Sequence, residues 1–380
     1  MGLEELVRST FEAHWREPGY TCPSAERYPW QWLWDSCFHS IIWARLGDAD
    51  RAVTELRTAL AGQDPGSGFV PHVAYWASPD HHADFWGRSG FSSITQPPMF
   101  GHAVAELVRG GIEVPEDVVG SSVAGLRFLL ERRRRSAGGL VELAHPWESG
   151  ADDSPRWDDL TASPFDLPTW KARKGELVAS VVRDDGGSPV ANDLCPVASV
   201  GFNALVAFNS VELGVTIGDD GLVAAGTEVA GRLSERWDAD RSTWVDDGPT
   251  AAGSGRACTL DALLGALVDP HHADAALDLL IDPSAHGAPF GPTGVHRAEP
   301  TFAADTYWRG PAWPQLSYLL WVAARRARRD DVARSVAASL VAAAVHTGLA
   351  EYWNPDTAAP GGAAPQSWTG LAVVVDAPTS

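Results

Sequence analysis

The residues best suited to chemistry in this chain lie between His145 and Asp158, in the order His-Pro-Trp-Glu-Ser-Gly-Ala-Asp-Asp-Ser-Pro-Arg-Trp-Asp. Glu148, Asp152, Asp153 and Asp158 bring carboxylates together with Trp147, Trp157 and Arg156 around Gly150, which permits a tight bend. An apolar wall can keep one carboxyl protonated while sugar rings stack on indoles, so carboxylates beside tryptophans suit glycoside cleavage. A second carboxylate–aromatic cluster, Glu351-Tyr352-Trp353-Asn354-Pro355, lies far downstream. Two such clusters are what a two-carboxylate hydrolase needs if their loops converge on one pocket.

Several of these residues also have purely structural readings. Glu148 and Asp153 are better read as helix-capping or arginine-paired residues than as catalysts. Arg156 and Asp158 can form an ion pair that shapes the loop. Arg309, before Gly310-Pro311, can hold a carboxylate or a sugar hydroxyl, or simply form a bidentate structural pair. Gln96, in Thr95-Gln96-Pro97-Pro98, precedes a helix, where an exposed amide can reach a ligand hydroxyl or close a local loop bond. Trp313, just beyond Arg309, reads as core. Gln366 and Trp368 border the last helical pattern and are expected to flank Glu351.

The elements that must position these residues are helical. Apolar residues recur at helical spacing near 2–15, 34–46, 49–61, 98–110, 117–134, 197–213, 219–236, 258–267, 271–280, 311–327, 329–346 and 366–375. Strand-like runs are few: Val178 to Val182, and short pieces near 140–143 and 243–246. The intervening stretches 62–97, 141–196 and 281–310 are too long to be mere connectors, and long loops in compact domains usually carry function. A dozen helices with one set of long loops match an all-α (α/α)6 barrel, two concentric rings of six with the site at the long-loop end. No low-complexity linker divides the chain, since Ala358–Pro365 reads as a loop, so residues 1–380 are expected to form one catalytic domain.

Composition narrows the partners. The formal net charge of −20 argues against nucleic acid and anionic membranes, both of which need basic surface. Lys171 and Lys174 are the only lysines, and the run Arg132 to Arg135 reads as a solvated helix terminus favoured by the macrodipole. The N-terminal residues carry Glu4, Glu5, Arg8, Glu12 and Arg16 at helical spacing, unlike a secretory signal, and no apolar run is judged long enough to span a bilayer. Cys22, Cys37, Cys195 and Cys258 lie far apart without a CxxC pair, as expected of buried thiols in a cytoplasmic protein. Many of the 17 tryptophans fall in polar Pro/Gly-rich loops, where exposed indoles are costly unless they line a site. The pairs His81-His82 and His271-His272 lack metal-ligand spacing and read as surface histidines. No phosphate cradle or Gly-x-Ser-x-Gly elbow is present, so neither metal nor cofactor is expected.

Four segments resemble glycoside hydrolase family 63, in particular its short bacterial single-barrel members that act on mannosylglycerate or glucosylglycerate. They are Trp32-Leu33-Trp34-Asp35-Ser36, Trp147 to Arg156, Tyr307-Trp308-Arg309-Gly310-Pro311, and Glu351 to Pro355 followed by Ser367-Trp368-Thr369, in the family's order. Trehalases and related (α/α)6 hydrolases share weaker forms. The resemblance implies an inverting mechanism, with Asp152, at the aspartate of a Glu-Ser-Gly-x-Asp motif, as general acid and Glu351 as general base. Inversion leaves room for a water between carboxyl groups roughly 6.5–9.5 Å apart. Asp153 stands where the family usually has asparagine. Asp35 is implied to bind sugar hydroxyls, although its place at a helix start also suits the dipole. Trp34, Gln96, Trp147, Tyr307, Trp308, Arg309, Gln366 and Trp368 complete the expected substrate-binding set.

The implied activity is cofactor-independent cleavage of a small α-glucoside or α-mannoside, glycerate glycosides included. The glycerate-specific relatives read their anion through an arginine- and tyrosine-bearing loop after the acid motif. Trp170 to Cys195 offers Lys171, Arg173, Lys174 and Arg183 but no tyrosine, so glycerate glycosides are not favoured over other aglycones, and Arg88 or Lys171 is left as a partner for an anionic acceptor. Trehalase-like or α-glucosidase activity on a neutral disaccharide is the alternative. An (α/α)6 isomerase or epimerase would need central histidines, and a catalytically silent sugar-binding barrel would lack an opposed acid and base. A homo-oligomer is left open.

Overall fold

The helical periodicity resolves, in a computed structural model describing residues 2–161 and 165–376, into thirteen α-helices and several 3-10 turns. They are α1 (Leu3–His14), α2 (Leu33–Arg45), α3 (Ala49–Leu60), α4 (Ala83–Trp86), α5 (Phe100–Arg109), α6 (Glu116–Arg127), α7 (Leu167–Ala179), α8 (Val200–Ile217), α9 (Asp220–Ser234), α10 (Ala273–Asp278), α11 (Pro314–Arg326), α12 (Asp330–Thr347) and α13 (Ala372–Val375). Local chemistry sets their ends. Asp48 accepts from Arg51 N at 3.0 Å to cap α3, and Asp219 accepts from Leu222 N at 2.9 Å to cap α9. Pro314 occupies the first position of α11, where its missing N–H costs nothing.

Six segments pack into a closed inner ring: α2 on α5, α5 on α8, α8 on the 3-10 helix Leu260–Leu267, that helix on α11, α11 on the 3-10 helix Ser367–Leu371, and this last one back on α2. The outer ring is α1, α3, α6, α9, α10 and α12, each against its neighbour in the inner ring. This is the (α/α)6 barrel, with two inner members tightened to 3-10 geometry. The expected helix over 117–134 ends in a π-helical turn at Phe128–Arg132.

The inner helix α8 is buried along most of its length. Contrary to the expectation that no segment is long and apolar enough to cross a bilayer, α8 meets that test by length and composition, with 72% of its window inside the protein. Its polar residues serve the interior. Asn203 exchanges two hydrogen bonds with the Val141 backbone, at 2.7 and 2.9 Å, and Asn209 accepts from His102 N at 2.7 Å.

Strands occur as five short antiparallel pairs: Trp15–Arg16 with Tyr20–Thr21, Gln31–Trp32 with Val73–Ala74, Val181–Arg183 with Pro189–Asn192, Trp237–Asp238 with Thr243–Trp244, and Tyr352–Trp353 with Pro360–Gly361. The strand expected at Val178 to Val182 begins only at Val181, because α7 runs through Ala179. The piece near 140–143 contributes an isolated bridge, Arg135 to Val141. All four cysteines are free and buried.

Chain direction separates the two barrel ends. Inner helices lead into outer ones through short turns such as 46–48, 218–219 and 327–329. Outer helices return to inner ones through long segments (15–32, 61–99, 133–199, 235–259, 279–313 and 348–366), which therefore gather at the N-terminal ends of the inner helices.

Candidate active site

The long segments enclose a cavity of about 600 Å³ at that end. Ten of the eleven residues expected from the sequence line it: Asp152, Glu351, Trp34, Asp35, Gln96, Trp147, Tyr307, Trp308, Gln366 and Trp368. Arg309 does not. Its guanidinium makes a bidentate ion pair with Asp158 and packs on Phe165 with 3.6 Å between the guanidinium carbon and the ring centre, so it is structural.

The deep wall is built from barrel residues. Trp34 and Asp35 belong to the first turn of α2, and burial pushes the Asp35 carboxyl well above the usual carboxylate range. Gln96 is buried rather than exposed, and its Oε1 accepts from Trp34 N at 3.2 Å. Gln366 Oε1 and Trp308 Nε1 are buried without a hydrogen-bond partner in the protein. Trp308 is also held at φ 58°, a conformation costly for a bulky residue, and stacks on the core residue Trp313 at 3.7 Å and 8°.

Asp152 is presented by a tightly specified loop. His145 Nδ1 accepts from Trp147 N at 3.0 Å, opening the 3-10 turn Pro146–Ser149. Gly150 follows at φ 76°, where an added Cβ would lie 2.7 Å from the Trp34 ring. Trp170 Nε1, on α7, donates to the Asp152 carbonyl at 2.9 Å, and Trp157 Nε1 donates to the Ala151 carbonyl at 2.8 Å. Asp152 faces the cavity and Asp153 does not. Burial raises the Asp152 pKa; the Lys174 ammonium at 3.1 Å opposes that rise, and Asp153 adds to it.

The remaining charges of the motif are structural. Glu148 is buried, pairs with Arg133 and accepts from Thr95 N at 3.1 Å and Ala144 N at 2.7 Å. This agrees with the arginine-paired reading. Arg133 is therefore no part of a solvated helix end: its side chain is fully buried, because the loop carboxylate supplies the partner a buried guanidinium requires. Arg134 pairs with Glu142 and Asp193. Arg156 does not pair with Asp158 as expected but with Asp246 at 2.8 Å and with Asp261. Asp153 is paired with Lys174 at 2.6 Å rather than with arginine.

Glu351 reaches the cavity from the last long segment. Its Oε2 accepts from Ala363 N at 2.8 Å and its Oε1 from the Tyr28 hydroxyl at 3.2 Å. Burial raises its pKa; these hydrogen bonds and Arg27 pull it down, while Asp152 adds to the rise. Trp368 Nε1 donates to the Glu351 carbonyl at 3.0 Å, fixing the backbone as well.

Sequence reasoning passed over Tyr28 and Arg27 and much of an aromatic wall that includes Trp30, Tyr75 and Phe85, and it read Lys174 only as one of several cations after the acid motif, without its place beside Asp152. The density of aromatics over Tyr28–Trp34 was the available signal for Tyr28 and Trp30. Neither Arg88 nor Lys171 lines the cavity; Arg27 is the arginine that does. His82 and the buried His72 also line the cavity, whereas His272 stacks on Trp237 at 4.5 Å and pairs with Asp269.

Two raised carboxylates on separate loops, sharing a tryptophan-walled cavity at one end of an (α/α)6 barrel, define a carbohydrate-cleaving enzyme of the glycosidase class. Residues 28–369 match the model of the mannosylglycerate hydrolase MGH1-like glycoside hydrolase domain, and the chain belongs to that family. It is 28% identical to a mannosylglycerate hydrolase of Rubrobacter radiotolerans, over 92% of this chain and 91% of the relative. It is equally 28% identical to a glucosylglycerate hydrolase of Mycolicibacterium hassiacum, over 91% of each chain. The crystal structure of a family 63 mannosylglycerate hydrolase from Thermus thermophilus in complex with glucose superposes with a TM-score of 0.81 at 24% identity, covering 98% of this chain and 99% of the other.

Proposed function

We propose that this glycosidase inverts the anomeric centre of a small α-glucoside or α-mannoside, with Asp152 as general acid and Glu351 as general base. The observation that carries the reading is the different anchoring of the two carboxylates around one cavity. Glu351 accepts hydrogen bonds from Tyr28 and Ala363 N, which favour an anionic base. Asp152 is half-buried, with a side-chain exposure of 22%, and its desolvation together with the neighbouring Asp153 favours the protonated acid against the pull of Lys174. Asp152 donates its proton to the glycosidic oxygen as the bond from C1 to that oxygen breaks. Glu351 takes a proton from a water whose oxygen bonds C1 from the opposite face. Asp35 and the free Gln366 Oε1 are suited to hold hydroxyls of the glycosyl unit, with Trp34, Trp308 and Trp368 enclosing its faces.

Glycerate glycosides are the first substrates to test, because the relatives are named for them and Arg27 offers a cation to a carboxylate. A neutral disaccharide is the second reading, favoured by the aromatic wall of Trp30, Phe85 and Trp147. A single catalytic domain is supported by a main hydrophobic core that draws on residues from Val7 to Val375, with a smaller cluster around Val73, Tyr75 and Trp86, and a reducing cytoplasm suits the free thiols.

The test is proton NMR of the first product anomer from α-glucosides and α-mannosides, glycerate conjugates included. Initial release of the β-anomer, lost in Asp152→Ala and Glu351→Ala, is expected. General acid or base removal costs about 10²–10⁴-fold in rate. An α-anomer as first product refutes inversion, and absence of hydrolysis with every substrate favours a silent binder.

A further inference from the structure

Lys174 is one of two lysines in the chain, and its side chain is 5% exposed. Its ammonium lies 2.6 Å from Asp153 Oδ1 and 3.1 Å from Asp152 Oδ2, bridging two adjacent carboxylates of which only Asp152 faces the cavity. The position is built from several sides. The ammonium sits 5.7 Å from the Trp147 ring centre and 5.8 Å from that of Trp170. The Lys174 carbonyl is hydrogen-bonded to His145 Nε2 at 2.9 Å, and Trp170, on the same helix, holds the Asp152 carbonyl. One face of α7 thus grips the acid loop through backbone and side chain at once.

We propose that Lys174, held by Asp153, is the positioning residue of the general acid, fixing Asp152 Oδ2 and stabilising the carboxylate left when the proton has gone to the leaving group. The proposal rests on Asp152 being the acid, as argued above. A full positive charge beside Asp152 alone would strip its proton before substrate arrives. Asp153 at 2.6 Å shares that charge, so the ammonium can accept the new anion without abolishing the acid form. The proton moves from Asp152 to the glycosidic oxygen; Lys174 keeps its own. An asparagine at 153 could not balance the lysine, so this aspartate and this lysine function as a pair. The other titratable groups that act on Asp152 or Lys174 are Tyr307, Tyr28 and Glu351 from the cavity walls and His145 from the acid loop.

The test is carbon-13 NMR titration of the full chain labelled at aspartate carboxyls, with Asp152 identified as the resonance lost in Asp152→Asn. Lys174→Met leaves Asp152 facing an uncompensated carboxylate, so its midpoint rises. Asp153→Asn leaves it facing an uncompensated ammonium, so its midpoint falls. Each shift is expected at about one unit or more. Lys174→Arg, which keeps the charge, should stay near wild type. The basic limb of the kcat/KM profile should move in the same two directions, with kcat of Lys174→Met falling about 10-fold or more and KM little changed. Shifts of common sign, or an unmoved Asp152 in folded Asp153→Asn, overturn the proposal even if Lys174→Met fails to fold. Opposite shifts without hydrolysis of any glycoside would refute the hydrolase mechanism and confirm the charge coupling. Turnover with an unmoved Asp152 would refute the pair alone.

Discussion

Replacing Glu148 with alanine should destabilise the protein strongly and weaken catalysis without touching the cavity. The carboxylate is buried and accepts from Thr95 N, Ala144 N and both terminal nitrogens of Arg133. Without it, the fully buried guanidinium keeps only the carbonyls of Pro189 at 3.1 Å and Glu142 at 3.2 Å, with no counter-charge. Breaking a buried ion pair from one side costs about 3–5 kcal/mol. An unfolding entropy of about 2.1 cal/mol/K per residue gives roughly 0.8 kcal/mol/K for 380 residues, so Tm should fall by about 4–6 °C.

Calorimetry with a parallel urea titration reads this directly. Thr95 precedes Gln96 and Glu148 follows Trp147, so a slackened junction should also lower kcat. Pairing Glu148→Leu with Arg133→Met removes both charges and should recover the part of the lost stability that the orphaned guanidinium costs, while Thr95 N and Ala144 N stay without their acceptor. A Tm change below about 1 °C in the single variant would refute the argument, since the burial would then carry no electrostatic cost. So would a double variant less stable than Glu148→Ala.

Three further outcomes follow from the geometry. Gly150→Ala places a Cβ 2.7 Å from the Trp34 ring at a positive φ, so about 1–3 kcal/mol of strain and a lower kcat are expected; wild-type melting and kinetics would contradict this. Arg309→Met should lower stability through loss of the Asp158 pair yet leave KM within about 2-fold, because Arg309 does not line the cavity; a large rise in KM would restore it to substrate binding. Burial holds His72 and His145 at pKa values of about 3, below the ordinary 6.5. The unfolded chain therefore binds protons first, so stability is complete above pH 6.5 and falls by up to about 1.4 kcal/mol per unit and per histidine as pH drops toward 3. The urea midpoint of His72→Gln should change less between pH 7 and 5 than that of wild type, and parallel slopes would contradict the linkage.

The barrel was legible because each ring segment is an apolar-rich run bounded by turns, striped in the outer helices and buried nearly all round in α2 and α8, and ten of the eleven expected site residues meet in one cavity. What escaped is what depends on partners distant in sequence. Arg133 reads as part of a charged run, and only the fold shows that Glu148, fifteen residues on, draws it inside. Arg156 finds Asp246 and Asp261 across 90 and 105 residues, which no local spacing reveals. The helix α7 lies inside a stretch read as loop. Its capping residue Asp166, accepting from Thr169 N at 2.9 Å, and Pro168 in its first turn were visible signals, but its apolar periodicity is weak because it presents Trp170 and Lys174 to the site as well as Leu177 and Val178 to the interior.

These distant pairings explain how a motif with four carboxylates can leave one free to be the acid proposed above. Glu148 is committed to Arg133, Asp153 to Lys174, and Asp158 to Arg309. Each commitment also ties the loop to a different part of the barrel, and Arg156 adds an anchor through Asp246 in the segment that lines none of the cavity. Asp152 is the one carboxylate of the four left facing the cavity, on a backbone fixed by Trp157, Trp170 and the Gly150 turn. Removing any clamp should therefore act on rate through the placement of Asp152, while removing Asp152 itself should leave the melting temperature nearly unchanged. A clamp variant with full activity, or an Asp152→Asn protein that loses stability as Glu148→Ala does, would show that the loop holds together by other means.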